Sequence, residues 1–390
     1  MLTPKNSSGQ SFVRFYNENG IIPVRQDIND KGEFYAKRNF LYSSLGVPLS
    51  MLKDRSVLEF GPGGGWNAVA TSAHQPSNYV FVDGAVASVA ELRKKLSNKL
   101  FKAKNTEIYE SNIYSFSDPR KFDLVIAEGL IPGQKDPGVV LRKVSSFVGD
   151  TGSLIVTTTT SASLLSEFCR RLFSIRLFEG INSFADKVKV SANFFESHLK
   201  SLGTKTRPIE DWVADSIVHE WHKEQMVFSL EDCIAEIGEQ FSFYGSLPRF
   251  LIDDRWYKLV DRKSNLLNEM ALDQHKSISA SFLDYRVPLR VALQSGVGGD
   301  VENICTELRA LHDQMMFDGS YNRLYEFSKG INELAGALPG TFKSTVTALR
   351  EFNNLFPRFA EGEPVDFKHF PNWWGRGQQY VSFTRNFGII

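Results

Sequence analysis

The chain has 390 residues, of which 42% are hydrophobic and 23% are charged, as in ordinary globular proteins of one or two domains. Its 45 basic and 45 acidic side chains give a formal net charge of zero, which argues against a protein that binds nucleic acid mainly by charge. The sequence shows no apolar run of membrane-spanning length, no signal-peptide core and no zinc-ligand spacing, and its three cysteines are widely separated. We therefore expect a cytoplasmic protein without a metal site or structural disulfides.

The first 50 residues are predicted to form a cap segment ahead of the main domain. Residues 21–24 read as an extended piece stiffened by Pro23, and residues 33–45 read as a helix that ends at Gly46.

The most informative stretch follows, at residues 56–66. A short apolar run typical of a buried strand leads through Glu59 into a turn rich in glycine, and a helix is predicted from about Asn67. Glycines let the backbone turn sharply and let a ligand lie against it without a Cβ in the way. This strand–turn–helix arrangement is typical of a nucleotide-binding α/β sheet.

Strands and helices then alternate up to about residue 160. The predicted strands are 79–83, 107–110, 122–127 and 152–157, and the predicted helices are 89–100 and 138–148. On the helix 89–100, Lys94, Lys95 and Lys99 are placed on the solvent side. Such alternation predicts a parallel sheet with helices on both faces.

Beyond residue 160 the pattern becomes mainly helical. A helical insertion is predicted at about 161–205, followed by a helix at 229–240 and two closing strands at 241–245 and 255–260. The predicted domains are therefore the cap 1–50, the main domain 51–260, and a mainly helical C-terminal extension 261–390 that ends in an aromatic tail.

These motifs resemble those of class I S-adenosylmethionine (SAM)-dependent methyltransferases, over about residues 52–160. The resemblance rests on Glu59 and the glycines of the first turn, and on Asp83, the acid that ends the second strand. The resemblance implies a Rossmann-like sheet, SAM as co-substrate, and a cytosolic methyl-transfer enzyme. The residues it assigns to SAM binding are Glu59, Gly61, Pro62, Gly63, Gly65, Asp83, Gly84, Ser111, Asn112 and Ile113.

A dinucleotide-binding fold is the competing interpretation of the glycine turn. The pattern Gly-x-Gly-x-x-Gly/Ala fits when it begins at Gly63 and ends at Ala68, so the motif alone does not decide. Glu59 favours SAM, because a carboxylate before the first glycine suits a cationic ligand better than an anionic pyrophosphate.

Candidates for chemistry are sparse. Glu128 follows the fourth strand, where this fold places the acceptor, and is a candidate base or hydrogen-bond acceptor. The competing interpretation is that it caps the loop or pairs with a lysine. His219 and His222 would share one face of a helix, and a satisfied or surface role competes with a role as base. In the cap, residues 25–27 with Phe34 and Tyr35 are candidates for ligand contacts or for plain packing on the sheet.

Two further segments mix aromatic and charged residues. Residues 244–249, which include Arg249, are candidates for a substrate pocket that meets an anionic group. The tail around Trp373 and Trp374 is predicted to be either a lid over the site or a packed strap.

The sequence thus predicts a methyltransferase that acts on a small-molecule or glycan-like acceptor, mainly by alignment and desolvation, with help from a general base left open. The region 21–83 also gives a loose resemblance to bacterial methyltransferases encoded near surface-polysaccharide genes. Two alternatives remain open, a protein lysine methyltransferase and a SAM-binding module without catalysis. The acceptor, the methylated atom and the oligomeric state do not follow from the sequence.

Overall fold

The computed structural model describes residues 11–21, 30–203, 207–253, 255–256, 258 and 266–386. The chain divides into two compact units. The first consists of Met1–Thr158, Glu224–Glu269 and Tyr380–Ile390, and the second of Thr159–Lys223 and Met270–Gln379. This division differs from the predicted boundaries at residues 50 and 260, because the helical insertion and the helical extension belong to one unit.

The first unit contains a seven-stranded sheet with the order β3-β2-β1-β4-β5-β7-β6. Its strands are β1 (Ser56–Phe60), β2 (Asn78–Asp83), β3 (Asn105–Glu110), β4 (Phe122–Ala127), β5 (Val148–Thr158), β6 (Phe241–Leu247) and β7 (Gln379–Arg385). Strands β1 to β5 are paired in parallel, whereas β6 and β7 are antiparallel to each other. The predicted α/β sheet of the Rossmann-like methyltransferase type is confirmed.

Burial explains why the central strands form. Val57, Leu58, Val80, Phe81 and Val125 are fully buried, and a parallel sheet covered on both faces requires such unbroken apolar runs. The helices of this unit are α1 (Ser11–Asn19), α2 (Lys31–Ser44), α3 (Trp66–Ser72), α4 (Val86–Ser97), α5 (Pro137–Ser145) and α9 (Leu230–Ile237).

Three local predictions for the first unit were wrong. The last strand of the sheet is β7 near residue 380, whereas residues 255, 256 and 258 are not in a strand. Strand β5 begins at Val148, whereas its start was predicted at residue 152. Lys95 is buried rather than solvent-facing, because its ammonium group lies 3.6 Å from the centre of the Trp66 ring and pairs with Glu91 at 2.6 Å.

The second unit is helical. Its helices are α6 (Ser161–Leu177), α7 (Phe184–Lys200), α8 (Ile209–Val213), α11 (Leu289–Ser295), α12 (Gly298–Asp318), α13 (Leu324–Ala337) and α14 (Lys343–Ala360). The remaining helix, α10 (Leu266–Ile278), contains the point in the chain at which the division falls. Among the residues described, no helix is long and apolar enough to cross a membrane.

Two adjacent arginines are fully buried in the second unit. Arg170 donates to the carbonyl oxygens of Ser166 (3.0 Å) and Trp373 (2.7 Å), and Arg171 donates to those of Ser216 (2.7 Å) and His219 (2.6 Å). Burial lowers the pKa of Arg170 to about 10 and that of Arg171 to about 9. Main-chain carbonyls therefore replace water around both guanidinium groups.

The aromatic tail packs as a strap within this unit. Trp373 is fully buried and donates to the carbonyl of Leu283 at 2.7 Å, while the Trp374 ring lies 3.7 Å from the guanidinium carbon of Arg170. Of the two predicted roles for the tail, these contacts favour the packed strap over a mobile lid.

Candidate functional site

The turn between β1 and α3 is built on glycines that no other residue replaces easily. Gly61, Gly63 and Gly65 have φ angles of +63°, +55° and +74°, in the left-handed region that side chains disfavour. A Cβ on Gly65 would also lie 2.4 Å from a methyl group of Leu92. The turn therefore presents bare backbone at the carboxyl end of β1.

Asp83 ends the neighbouring strand and is bonded to this turn. Its Oδ2 accepts the N–H of Gly63 at 3.0 Å, and its Oδ1 accepts the N–H of Ala85 at 2.8 Å. Burial raises the pKa of Asp83 to about 6, although the two N–H donors work in the opposite direction. The carboxylate thus fixes the shape of the glycine turn and keeps a free lone pair on each oxygen.

A cleft opens beside these two elements. Its wall includes five of the residues predicted to bind the cofactor, which are Gly61, Asp83, Gly84, Ser111 and Ile113. The opposite side is formed by α1 and by the loop after β4, through Phe12, Val13, Leu130, Gly133, Gln134 and Lys135. The carboxyl edge of the sheet therefore carries a cavity at the place where this fold binds nucleotides.

The other predicted cofactor residues lie around the cleft rather than in its wall. Pro62, Gly63 and Gly65 complete the turn, and Asn112 orders the next loop by accepting the N–H of Tyr114 at 2.8 Å. Glu59 is buried and accepts a hydrogen bond from the hydroxyl of Tyr79. Burial raises the pKa of Glu59 to about 7.

Comparison with known proteins agrees with this geometry. Residues 35–235, about half of the chain, match a family model described as "Methyltransferase domain". The chain belongs to this methyltransferase family. Its predicted place among the class I SAM-dependent methyltransferases is confirmed at the level of the family, and the family is one of enzymes.

Among curated proteins, none matches the methyltransferase. Solved structures similar to it include PKMT2 from Rickettsia typhi in complex with AdoHcy, at 18% identity over 62% of this chain and 49% of that one, with a TM-score of 0.41. Another is magnesium protoporphyrin IX methyltransferase from Synechocystis with bound SAH, at 12% identity over 60% of this chain and 89% of that one, with a TM-score of 0.35.

A third is the N-methyltransferase NodS from Bradyrhizobium japonicum, at 16% identity over 35% of this chain and 66% of that one, with a TM-score of 0.28. The methyltransferase spans about half the length of the first solved structures it matches. Similarity at this level is to the fold, and it does not indicate an acceptor.

Both carboxylate oxygens of Glu128 accept hydrogen bonds from neighbouring side chains. Arg38 of α2 donates to both carboxylate oxygens, at 2.8 and 3.0 Å, and the Tyr42 hydroxyl donates at 2.9 Å. The Arg38 and Glu128 side chains are only 8% and 9% exposed. Burial alone would lower the pKa of Arg38, but the Glu128 carboxylate raises it overall. The partner of Glu128 is thus an arginine, and its contacts anchor α2 to the end of β4.

Arg38 and Tyr42 were not predicted as site residues from the sequence. Both lie on the face of α2 that also carries Leu41 and Leu45, so their spacing marked them as buried polar residues. Of the cap candidates that were predicted, residues 25–27 lie outside the described residues. Phe34 and Tyr35 pack ring to ring at 5.9 Å and do not line the cleft.

The two candidate histidines belong to the second unit. They do not share a helical face, because His219 follows the wide helical turn Ala214–Val218 in an extended conformation and His222 lies in the short helix Trp221–Lys223. Burial lowers the pKa of both to about 4. Their role as a base stays a prediction.

Proposed function

We propose that the chain binds SAM in the cleft beside the glycine turn and transfers its methyl group to a small-molecule or glycan-like acceptor. The observation that carries this proposal is the bond between Asp83 and Gly63, which joins the ends of β1 and β2 at the wall of the cleft. SAM supplies an already activated methyl group. The protein then has to hold it, aim it and keep water out.

The described residues suit each part of that task. The free lone pairs of Asp83 are acceptors for the two ribose hydroxyls, and the loop with Ser111 and Ile113 provides a half-apolar wall for the adenine. The bare turn at Gly61 and Gly63 lets the amino-acid end of SAM approach the backbone. Glu59 gives the cationic end of SAM a nearby acid, which among the described residues accepts a hydrogen bond from the Tyr79 hydroxyl.

Glu128 fits a structural role better than that of a base. Three hydrogen bonds from Arg38 and Tyr42 hold its oxygens, and a proton taken from an acceptor would cancel the charge that balances the buried guanidinium of Arg38. We therefore infer that transfer proceeds mainly by alignment and desolvation. Glu128 indirectly positions the acceptor side by holding α2.

Binding of S-adenosylhomocysteine, measured by calorimetry, tests the cofactor part. Replacing Asp83 with alanine should weaken binding by about 10- to 150-fold, because hydrogen bonds to a charged group contribute about 1.5–3 kcal/mol. Asp150→Ala is the matched control, since this carboxylate is exposed near the start of β5. Binding of NAD by the wild type, with none of S-adenosylhomocysteine, would overturn the proposal.

Labelled SAM tests the acceptor part. Incubation with a cell extract, followed by separation of proteins from metabolites, should place the label in the metabolite fraction. Label in lysine side chains of proteins would favour the alternative of a protein lysine methyltransferase. Tight binding of SAM with no S-adenosylhomocysteine formed in any extract would favour the module without catalysis.

A further inference from the structure

A second cleft in the first unit shares no residue with the first. It lies between the C-terminal end of α2 and strand β6 with the residues after it, and it has a cavity volume of about 310 Å³. Its lining residues are Ser43, Ser44, Gly46, Phe243, Tyr244, Gly245, Ser246, Arg249 and Leu251. The segment 244–249, which the sequence marked as a candidate substrate pocket, contributes four of them.

The side chain of Arg249 is the only charged group among these lining residues. Among the described residues it makes one hydrogen bond, from Nη2 to the carbonyl oxygen of Ser43 at 3.1 Å. A guanidinium group has five donors in a fixed fork, so this bond uses only a small part of them. No acidic residue lines the cleft in the described part of the chain. The described lining therefore presents a cation together with serine hydroxyls.

Tyr244 is turned into this cleft by an irregularity of the sheet. The pairing of β6 with β7 shifts register between Phe243 and Gly245, so Tyr244 is the extra residue of a bulge. Its ring covers Gly46, where an added Cβ would lie 2.4 Å from a ring carbon, yet about half of the side chain stays exposed. An aromatic surface with a phenol thus lies beside the guanidinium group.

The cleft opens at the same edge of the sheet as Glu128. Leu247 at the end of β6 pairs with Tyr380 of β7, and the charge of Glu128 helps to raise the pKa of Tyr380, so the two lie close together. Arg249 follows Leu247 by two residues. Along α2, the five steps from Arg38 to Ser43 span about 8 Å. The second cleft therefore begins within one small-molecule length of the edge where methyl transfer is proposed.

We propose that this second cleft binds an anionic group, a phosphate or a carboxylate, carried by the methyl acceptor, with Arg249 as its main ligand. A planar guanidinium with free donors matches both anions in a bidentate way, and the hydroxyls and the Tyr244 ring add contacts for an attached polar ring. The assignment of this anion to the acceptor rests on the proposed function. A purely structural role for Arg249, as a cation at the C-terminal end of α2, is the competing explanation.

Titration of the full chain with inorganic phosphate, and separately with acetate, tests the site itself. The backbone amide NMR signals of Gly46 and Gly245 should shift in a saturable way, and the stronger of the two anions identifies the group. Arg249→Gln should weaken the titration by about tenfold or more, because a charge-assisted pair is lost. Arg255→Gln is the control, since Asp253 already holds that guanidinium at 2.6 and 2.8 Å.

Two results would overturn the site: no saturable shift with either anion, or an unchanged titration in Arg249→Gln. Saturating S-adenosylhomocysteine should leave the phosphate titration unchanged, because the two clefts share no residue. Competition would place the phosphate in the first cleft and would also contradict the proposal. Binding of S-adenosylhomocysteine by Arg249→Gln should equal that of the wild type, so a failure of the anion site is distinguished from a failure of cofactor binding.

A separate experiment tests whether the bound anion is part of the methyl acceptor. When an extract is incubated with labelled SAM, the methylated product should be retained on an anion exchanger, and its yield should fall in Arg249→Gln while remaining normal in Arg255→Gln. A labelled product that passes through the exchanger would show that the acceptor carries no such anion.

Discussion

The two compact units hold part of their buried charge in different ways. The first buries Glu59 and Asp83, whose pKa values rise to about 7 and about 6, and among the described residues neither carboxylate forms an ion pair. The second buries Arg170 and Arg171 and surrounds them with main-chain carbonyls. Buried acids left without a cation indicate a site for a cationic ligand, whereas buried bases bonded to the backbone hold helices and loops together. Burial of charge alone therefore does not identify a functional site.

The largest effect is expected from removing the tail. A chain that ends at Phe356 loses Trp373, Trp374 and all of β7, and should neither unfold cooperatively nor bind S-adenosylhomocysteine. Circular dichroism during heating and calorimetry measure this, with a chain ending at Asn386 as the control. A folded, binding-competent truncated protein would show that the first unit is independent of β7.

Glu128→Gln should destabilise the protein by about 3–5 kcal/mol, because the buried guanidinium of Arg38 loses its charge partner. Denaturant unfolding measures this loss. The double variant Arg38→Met, Glu128→Leu should be more stable than the single one, since no unpaired charge remains. If Glu128→Gln instead keeps full stability and loses only turnover, the Glu128 carboxylate acts as a general base. The first unit would then contain a catalytic carboxylate in addition to the carboxylates that bind the ligand.

Gly63→Val separates binding from stability. We compare it with Gly319→Val, because Gly319 has a similar φ of +60° in the second unit and open space around it. Both variants should lose about 1–2 kcal/mol through backbone strain. Only Gly63→Val should lose binding of S-adenosylhomocysteine. Equal binding in the two variants would remove the glycine turn from the proposed site.

The smallest effect is a difference in pH response. Burial lowers the pKa of His275 to about 4, so between pH 6.5 and 4 the unfolded chain binds more protons than the native one, and stability of the second unit should fall with falling pH. Glu59 has a raised pKa, so between about pH 4.5 and 7 the native chain binds more protons than the unfolded one. The stability of the first unit should therefore fall as pH rises through this range. Amide hydrogen exchange of α12 and β2 at pH 5 and pH 7 measures the two trends, and parallel trends would contradict the comparison.

Ligand binding should follow the same titration. Ionised Glu59 and Asp83 favour a cationic ligand, so affinity for S-adenosylhomocysteine should increase as pH rises from about 5.5 to 7.5. Glu59→Gln should flatten this dependence. An affinity that is independent of pH in the wild type would mean that neither acid faces the ligand's ammonium group.

Features built from residues close together in the sequence could be predicted, whereas contacts between distant residues could not. The strand–turn–helix around Gly61, Gly63 and Gly65 is a continuous motif, so it could be predicted with its acid in β2. The pair Arg38–Glu128 could not, because 90 residues separate its members and nothing local marks them as neighbours. Lys95 was misplaced for a similar reason, since its partner ring belongs to Trp66 on another helix.

The prediction of the closing strand was wrong because strand propensity does not identify the strand with which a segment pairs. Residues 255–260 and 379–385 are both rich in aromatic and β-branched residues, and either segment is a plausible strand by itself. Only pairing with β6, and a position beside β5, selects the later segment.

The late position of β7 in the chain has a consequence during synthesis. Strand β5 ends at Thr158, and its neighbour in the sheet begins at Gln379. At about 5–20 residues per second, a ribosome needs on the order of 10–40 s to make the intervening chain. Through that interval one edge of a strand that is largely buried in the folded sheet has no partner of its own, which is the condition under which nascent chains aggregate or recruit chaperones.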